Sequence, residues 1–64
     1  MRDPGRIYRI ASYLTEVWRK NPDLRLAQVI SNAASLAGWE NPDTFYLEDD
    51  KLEEGLTIMI NKIK

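Results

Sequence analysis

The chain has 64 residues, 44% of them hydrophobic and 30% charged, with a net charge of -1. That balance excludes the low-hydrophobicity, high-charge signature of disorder and leaves room for one small packed domain spanning 1–64. Cysteine and histidine are both absent, which excludes disulfides, thiol chemistry and the commonest general base and metal ligand.

Those absences set the first expectations: a cytoplasmic, non-enzymatic protein with no metal or cofactor. No apolar run approaches the ~20 residues that cross a bilayer, and Met1 to Asn21 lacks the apolar stretch of a signal peptide. Neither membrane insertion nor export is expected. Charge is unevenly placed. Residues 1–25 carry six basic and three acidic side chains, whereas residues 40–54 carry seven acidic and one basic.

Asp3 before Pro4 reads as a helix N-cap followed by proline at the first helical position. Ile7, Ile10, Ala11, Leu14, Val17 and Trp18 then recur at spacings of three and four, a stripe about 120° wide that predicts a core-facing helix over 4–20. Asn21 precedes Pro22 and is thereby pushed out of the α region, which ends that helix.

Asp23 is the natural cap for a second helix over 24–37, with Leu26, Val29, Ile30, Ala33, Leu36 and Ala37 as its stripe. Gly38 is suited to a left-handed C-cap, and Trp39 to folding back as its apolar partner. Asn41-Pro42-Asp43-Thr44 is turn chemistry. Phe45, Tyr46 and Leu47 are too short an apolar run for a helix, so 44–47 is expected to be extended.

Glu48, Asp49 and Asp50 suit the positive end of a helix dipole, with Asp49 the better cap by residue type. A third helix over 49–63 follows, with Leu52, Leu56, Met59, Ile60 and Ile63 inward. Gly55 interrupts it at a cost of about 1 kcal/mol relative to alanine. The expected fold is therefore all-α, a compact three-helix domain with one short extended segment. Trp18, Trp39 and Phe45 are expected in its core, with Tyr8 and Tyr13 burying their rings at the edges of the first stripe.

The Met-Arg-Asp-Pro start, the run from Trp18 to Arg25 and the segment from Phe45 to Leu52 resemble a group of small bacterial and phage-associated proteins. The order of Trp, Pro-Asp-Leu, Leu-x-Gln and Gly-aromatic, with an acidic pair before the last helix, is distantly similar to the YihD-like domain family. The shared motifs belong to turns and core, so the resemblance implies a fold and no enzyme activity. Ala27, Ala33, Ala34 and Ala37 in the second helix, and Gly55 in the third, depart from it.

Three constellations are candidates for function. Arg2, Arg6, Arg9, Tyr13 and Lys20 fall within roughly 60° on a helical wheel, a basic stripe that suits phosphates. Glu16 shares that face and stands in the favourable order with Lys20, and Arg9 is placed to lie over Tyr13, so a solvated face accounts for the same residues. The second constellation, Glu48, Asp49, Asp50, Glu53 and Glu54, is an acidic patch for a basic partner, including mimicry of a phosphate backbone. Its spacing lacks the alternating ligands and central glycine of a calcium loop.

The third is the uncharged outer face of the second helix, formed by Gln28, Ser31, Asn32 and Ser35, with Ile58 of the third helix expected exposed nearby. A small, neutral face loses little on desolvation and admits another helix closely. The expected function is a non-catalytic protein-interaction module, a small adaptor or inhibitor, with a homodimer as one of its forms. The alternatives are nucleic-acid binding through the basic stripe and acidic-patch mimicry that blocks a host nucleic-acid-binding protein.

Overall fold

The computed structural model describes residues 3–41 and 43–62. Its architecture is three helices, α1 (Gly5–Lys20), α2 (Leu26–Leu36) and α3 (Asp49–Lys62). The expected all-α, three-helix fold is the observed one.

Each boundary has a local cause. Pro4 already has helical dihedrals, and the Asp3 carboxylate accepts the Gly5 N–H at 2.8 Å, so the expected cap is present. Asn21 closes α1 twice over, donating its backbone N–H to the Trp18 carbonyl and its side-chain Nδ2 to the Val17 carbonyl. The second helix starts two residues later than Asp23 predicts. Leu24 donates its N–H to the Asn21 carbonyl, which keeps Pro22 and Asp23 in a turn. Arg25 then holds the extended N-cap conformation. Gln28, at the third helical position, accepts the Arg25 N–H at 2.8 Å, and that side chain fixes the start.

The end of α2 follows its predicted chemistry. Gly38 has φ +88°, its N–H reaches the Ser35 carbonyl, and the Trp39 N–H reaches that of Ala34, a complete Schellman closure. Residues 44–47 depart from expectation. The Leu47 N–H bonds to the Thr44 carbonyl at 3.0 Å, so the segment is a turn rather than extended chain. The Glu48 carbonyl accepts the first bonds of α3, which makes Glu48 the cap residue and Asp49 the first helical residue.

The core is Val17, Val29, Ala33, Leu56 and Ile60, with Ile10, Tyr13, Leu14, Leu24, Leu52 and Met59 packed around it. α3 packs along both other helices, most extensively on α2, while α1 and α2 meet least. Gly55, which reads as a defect by helix propensity, is buried where α3 crosses α2. A Cβ there would stand 2.9 Å from the Ala33 Cα and closer still to the Ala33 carbonyl. The absence of that carbon lets the two backbones meet.

A core this small leaves several predicted core residues outside. Ile7 is 58% exposed and Phe45 82%. Ile7 stands at the start of α1, one turn beyond Ile10, where the stripe runs past its cover. Tyr8 is 81% exposed, so its ring is not buried as expected, whereas Tyr13 packs against the core. Trp18 lies at the margin, its indole N–H donating to the Leu24 carbonyl at 2.8 Å. Ile58, expected exposed, is half-buried.

Candidate functional site

The basic stripe and the acidic patch read from the sequence meet each other across the α1–α3 seam. Arg6 and Arg9 stand one turn apart on α1, and Asp49 and Glu53 one turn apart on α3. Arg6 Nε donates to Asp49 Oδ2 at 2.7 Å. Arg9 donates Nε to Glu53 Oε2 at 2.7 Å and Nη2 to Oε1 at 2.9 Å, the planar fork of a bidentate pair. Because the two pairs advance together along the chain, α1 and α3 run in the same direction.

The side-chain hydrogen bond to Glu53 and that carboxylate's charge raise the Arg9 pKa above its ordinary value. Partly exposed pairs of this kind contribute little to stability, but they decide what the surface presents. Two cations of the stripe are paired with carboxylates, while the Arg9 side chain stays exposed. Arg6 also donates to the Asp3 carbonyl at 3.0 Å. Tyr13 is half-buried, Lys20 is exposed at the far end of α1, and Arg2 lies outside the described residues. Among the described residues of the stripe, Arg6 and Arg9 are paired with carboxylates and Lys20 stands apart from them.

The acidic patch is correspondingly divided. Asp49 and Glu53 face arginines, Glu54 faces Lys51 at 3.5 Å, and the Asp50 carboxylate accepts the Lys51 N–H at 2.9 Å. Glu48 is exposed at the head of α3. Among the described residues no cluster of three or more carboxylates is placed to hold a metal ion.

On α2, Ser31, Asn32 and Ser35 are exposed, as expected of an outer face. Gln28 is exposed as well, but its amide oxygen is engaged in capping the helix. Asn32 and Ser35 form one wall of a groove of about 370 Å³, closed by Leu36, Met59, Lys62 and Asn21. The groove thus joins the neutral face of α2 to the last turns of α3. Ile58 is absent from its lining, and Met59 takes the place that the sequence reading gave to Ile58.

No family model matches the chain. No curated protein and no solved structure matches it either. The surfaces must therefore be judged on their own chemistry. Among the described residues no helix is long and apolar enough to cross a membrane.

Sequence reasoning missed one further surface, the turn before α3. Asn41 Oδ1 accepts the Asp43 N–H and Asp43 Oδ1 accepts the Phe45 N–H, each at 2.9 Å, while the Trp39 indole donates to the Asp43 carbonyl at 3.3 Å. These short-range bonds satisfy the loop backbone locally. Leu47 alone of its apolar trio turns partly inward. Phe45 and Tyr46, the latter 68% exposed, meet edge to face with centroids 5.1 Å apart and planes at 83°. The signal was available: an apolar triplet between acidic residues, too short to reach a core.

Proposed function

We propose that this chain is a non-catalytic protein-interaction module, a small cytoplasmic adaptor or inhibitor that docks through the outer face of α2. The observation that supports the reading is the groove in which Asn32 and Ser35 face Met59, with Leu36 at its edge. It combines a neutral, short-side-chain wall with exposed apolar carbon, so a helix entering it desolvates no charge on the α2 side. A second copy of this chain is one partner of that description, and a helix of another protein is the other. The resemblance to phage-associated proteins suits the inhibitor form, in which a host component is blocked.

Both charge-based alternatives lose support from the α1–α3 seam. Nucleic-acid binding would need Arg6 and Arg9 released from their carboxylates. Backbone mimicry would need Asp49 and Glu53 free of them.

Sedimentation equilibrium over a wide concentration range tests the dimer form. Self-association that Ser35→Arg abolishes supports it, and a strict monomer removes it. For the heteromeric form, affinity capture from the source cell is compared between the native protein and Ser35→Arg. A partner retained by the first and lost by the second supports the groove, and identical capture by both rejects it.

A further inference from the structure

We infer that the turn carrying Phe45 and Tyr46 is a docking site for a cationic, arginine- or lysine-rich segment of another protein. The surface lies outside the α2 groove and shares no residue with it, so the failure of one reading leaves the other standing.

Two large aromatic rings stand in solvent on a chain whose central buried cluster, among the described residues, is five side chains. Exposed apolar side chains occurring singly need no explanation. These two are adjacent, meet edge to face, and follow directly on a loop whose backbone is bonded locally by Asn41 and Asp43. Edge-to-face packing leaves ring faces open, and the electron-rich face of an aromatic ring attracts a guanidinium or ammonium.

The charge around the pair selects the partner's sign. Residues 40–54 carry seven carboxylates and one lysine. Arg6 and Arg9 approach Asp49 and Glu53, and Lys51 approaches Glu54. With seven acidic side chains against one basic, the stretch is strongly acidic in its own residues. Glu40 and Asp43 precede the rings, and Asp50 follows them, all exposed. A cationic side chain laid over either ring would have a carboxylate nearby in sequence on each side. A phosphate-bearing partner would be repelled, and a purely apolar one would leave the carboxylates unsatisfied.

The experiment is a heteronuclear NMR titration of the full chain with a synthetic peptide of alternating arginine and alanine. An alternating glutamate–alanine peptide, an uncharged serine–alanine peptide and a single-stranded oligonucleotide serve as comparison probes. The arginine peptide should bind, shift the Phe45 and Tyr46 ring protons first, and weaken as salt is raised. The Phe45→Ala, Tyr46→Ala double variant should lose about tenfold in affinity, the scale of two exposed cation–π contacts. Equal affinity of native and double variant would show carboxylates alone at work and overturn the proposal. Unshifted ring protons in the native protein would overturn it as well, a readout that does not depend on how the variant folds. Equal or tighter binding of any comparison probe would also reject it.

Discussion

Arg9 holds Glu53 through both nitrogens of its fork, at 2.7 and 2.9 Å, across the seam between the first and last helices. One turn back, Arg6 holds Asp49 at 2.7 Å. The two halves of the sequence's charge asymmetry are thereby folded onto each other, and the cationic face of α1 is partly cancelled at close range.

Removing the carboxylates should therefore expose a latent property. The double variant Asp49→Asn, Glu53→Gln moves the net charge from -1 to +1 and releases two arginines. It should be retained on a heparin column to markedly higher salt than the native chain. A control with the same charge change at exposed sites off that stripe, Asp23→Asn with Glu40→Gln, should shift retention less. Equal shifts would mean that the arginines were never masked. Thermal stability should fall by only a few degrees, and the difference should shrink in high salt, because exposed pairs are screened.

Gly55 is the position where helix propensity and packing disagree in sign. Propensity alone says that Gly55→Ala gains about 1 kcal/mol. The crossing says otherwise, because the new methyl meets the Ala33 backbone, and backbone yields only by moving α2 away from α3. The expected net result is destabilisation of about 2 kcal/mol, within the range for overpacked cores, measured by urea unfolding. Since the clash is with main chain, Ala33→Gly should not rescue it. Alanine at exposed Asn61 of the same helix should be close to neutral.

The aromatic turn and the core should separate cleanly in stability. Phe45→Ser and Tyr46→Ser remove side chains that stand in solvent, so each should change unfolding free energy by no more than about 0.5 kcal/mol. Leu56→Ala empties a fully buried site and should cost about 3 kcal/mol. On a domain this small, that loss approaches the whole of its stability. Chemical denaturation of the three variants side by side distinguishes the classes, and a large loss at Phe45 would place its ring in the core after all.

These contrasts mark what was legible in the residues. The three helices and the Gly38-Trp39 closure follow from periodicity and left-handed geometry and are present, but of the predicted inward stripes Ala11, Leu26 and Leu36 are exposed, and Ile63 lies outside the described residues. The α1–α3 seam was half-legible: Arg6 and Arg9 repeat at one helical turn, as do Asp49 and Glu53, and opposite charges at matching spacing invite pairing. Ile7, Tyr8 and Phe45 misled because apolar character was equated with burial, whereas a five-residue core has too little surface to cover them. Gly55 lies on the inward stripe between Leu52 and Leu56. A glycine there signals close approach more than a weakened helix.

Gln28 gives the remaining test, since its residue type suits two roles. On a neutral outer face it reads as a contact residue, yet its amide oxygen accepts the Arg25 N–H at 2.8 Å and sets where α2 begins. Arginine has no acceptor to reciprocate, so this one bond carries the cap. Gln28→Ala should cost about 1 kcal/mol, the usual scale of a lost helix cap, and fray the first turn of α2, visible as faster amide exchange at Arg25. Gln28→Glu keeps the acceptor and adds negative charge at the positive end of the helix dipole, so it should match or exceed native stability. If alanine proves neutral while glutamate destabilises, Gln28 has no capping role and belongs with Ser31, Asn32 and Ser35 on the contact face.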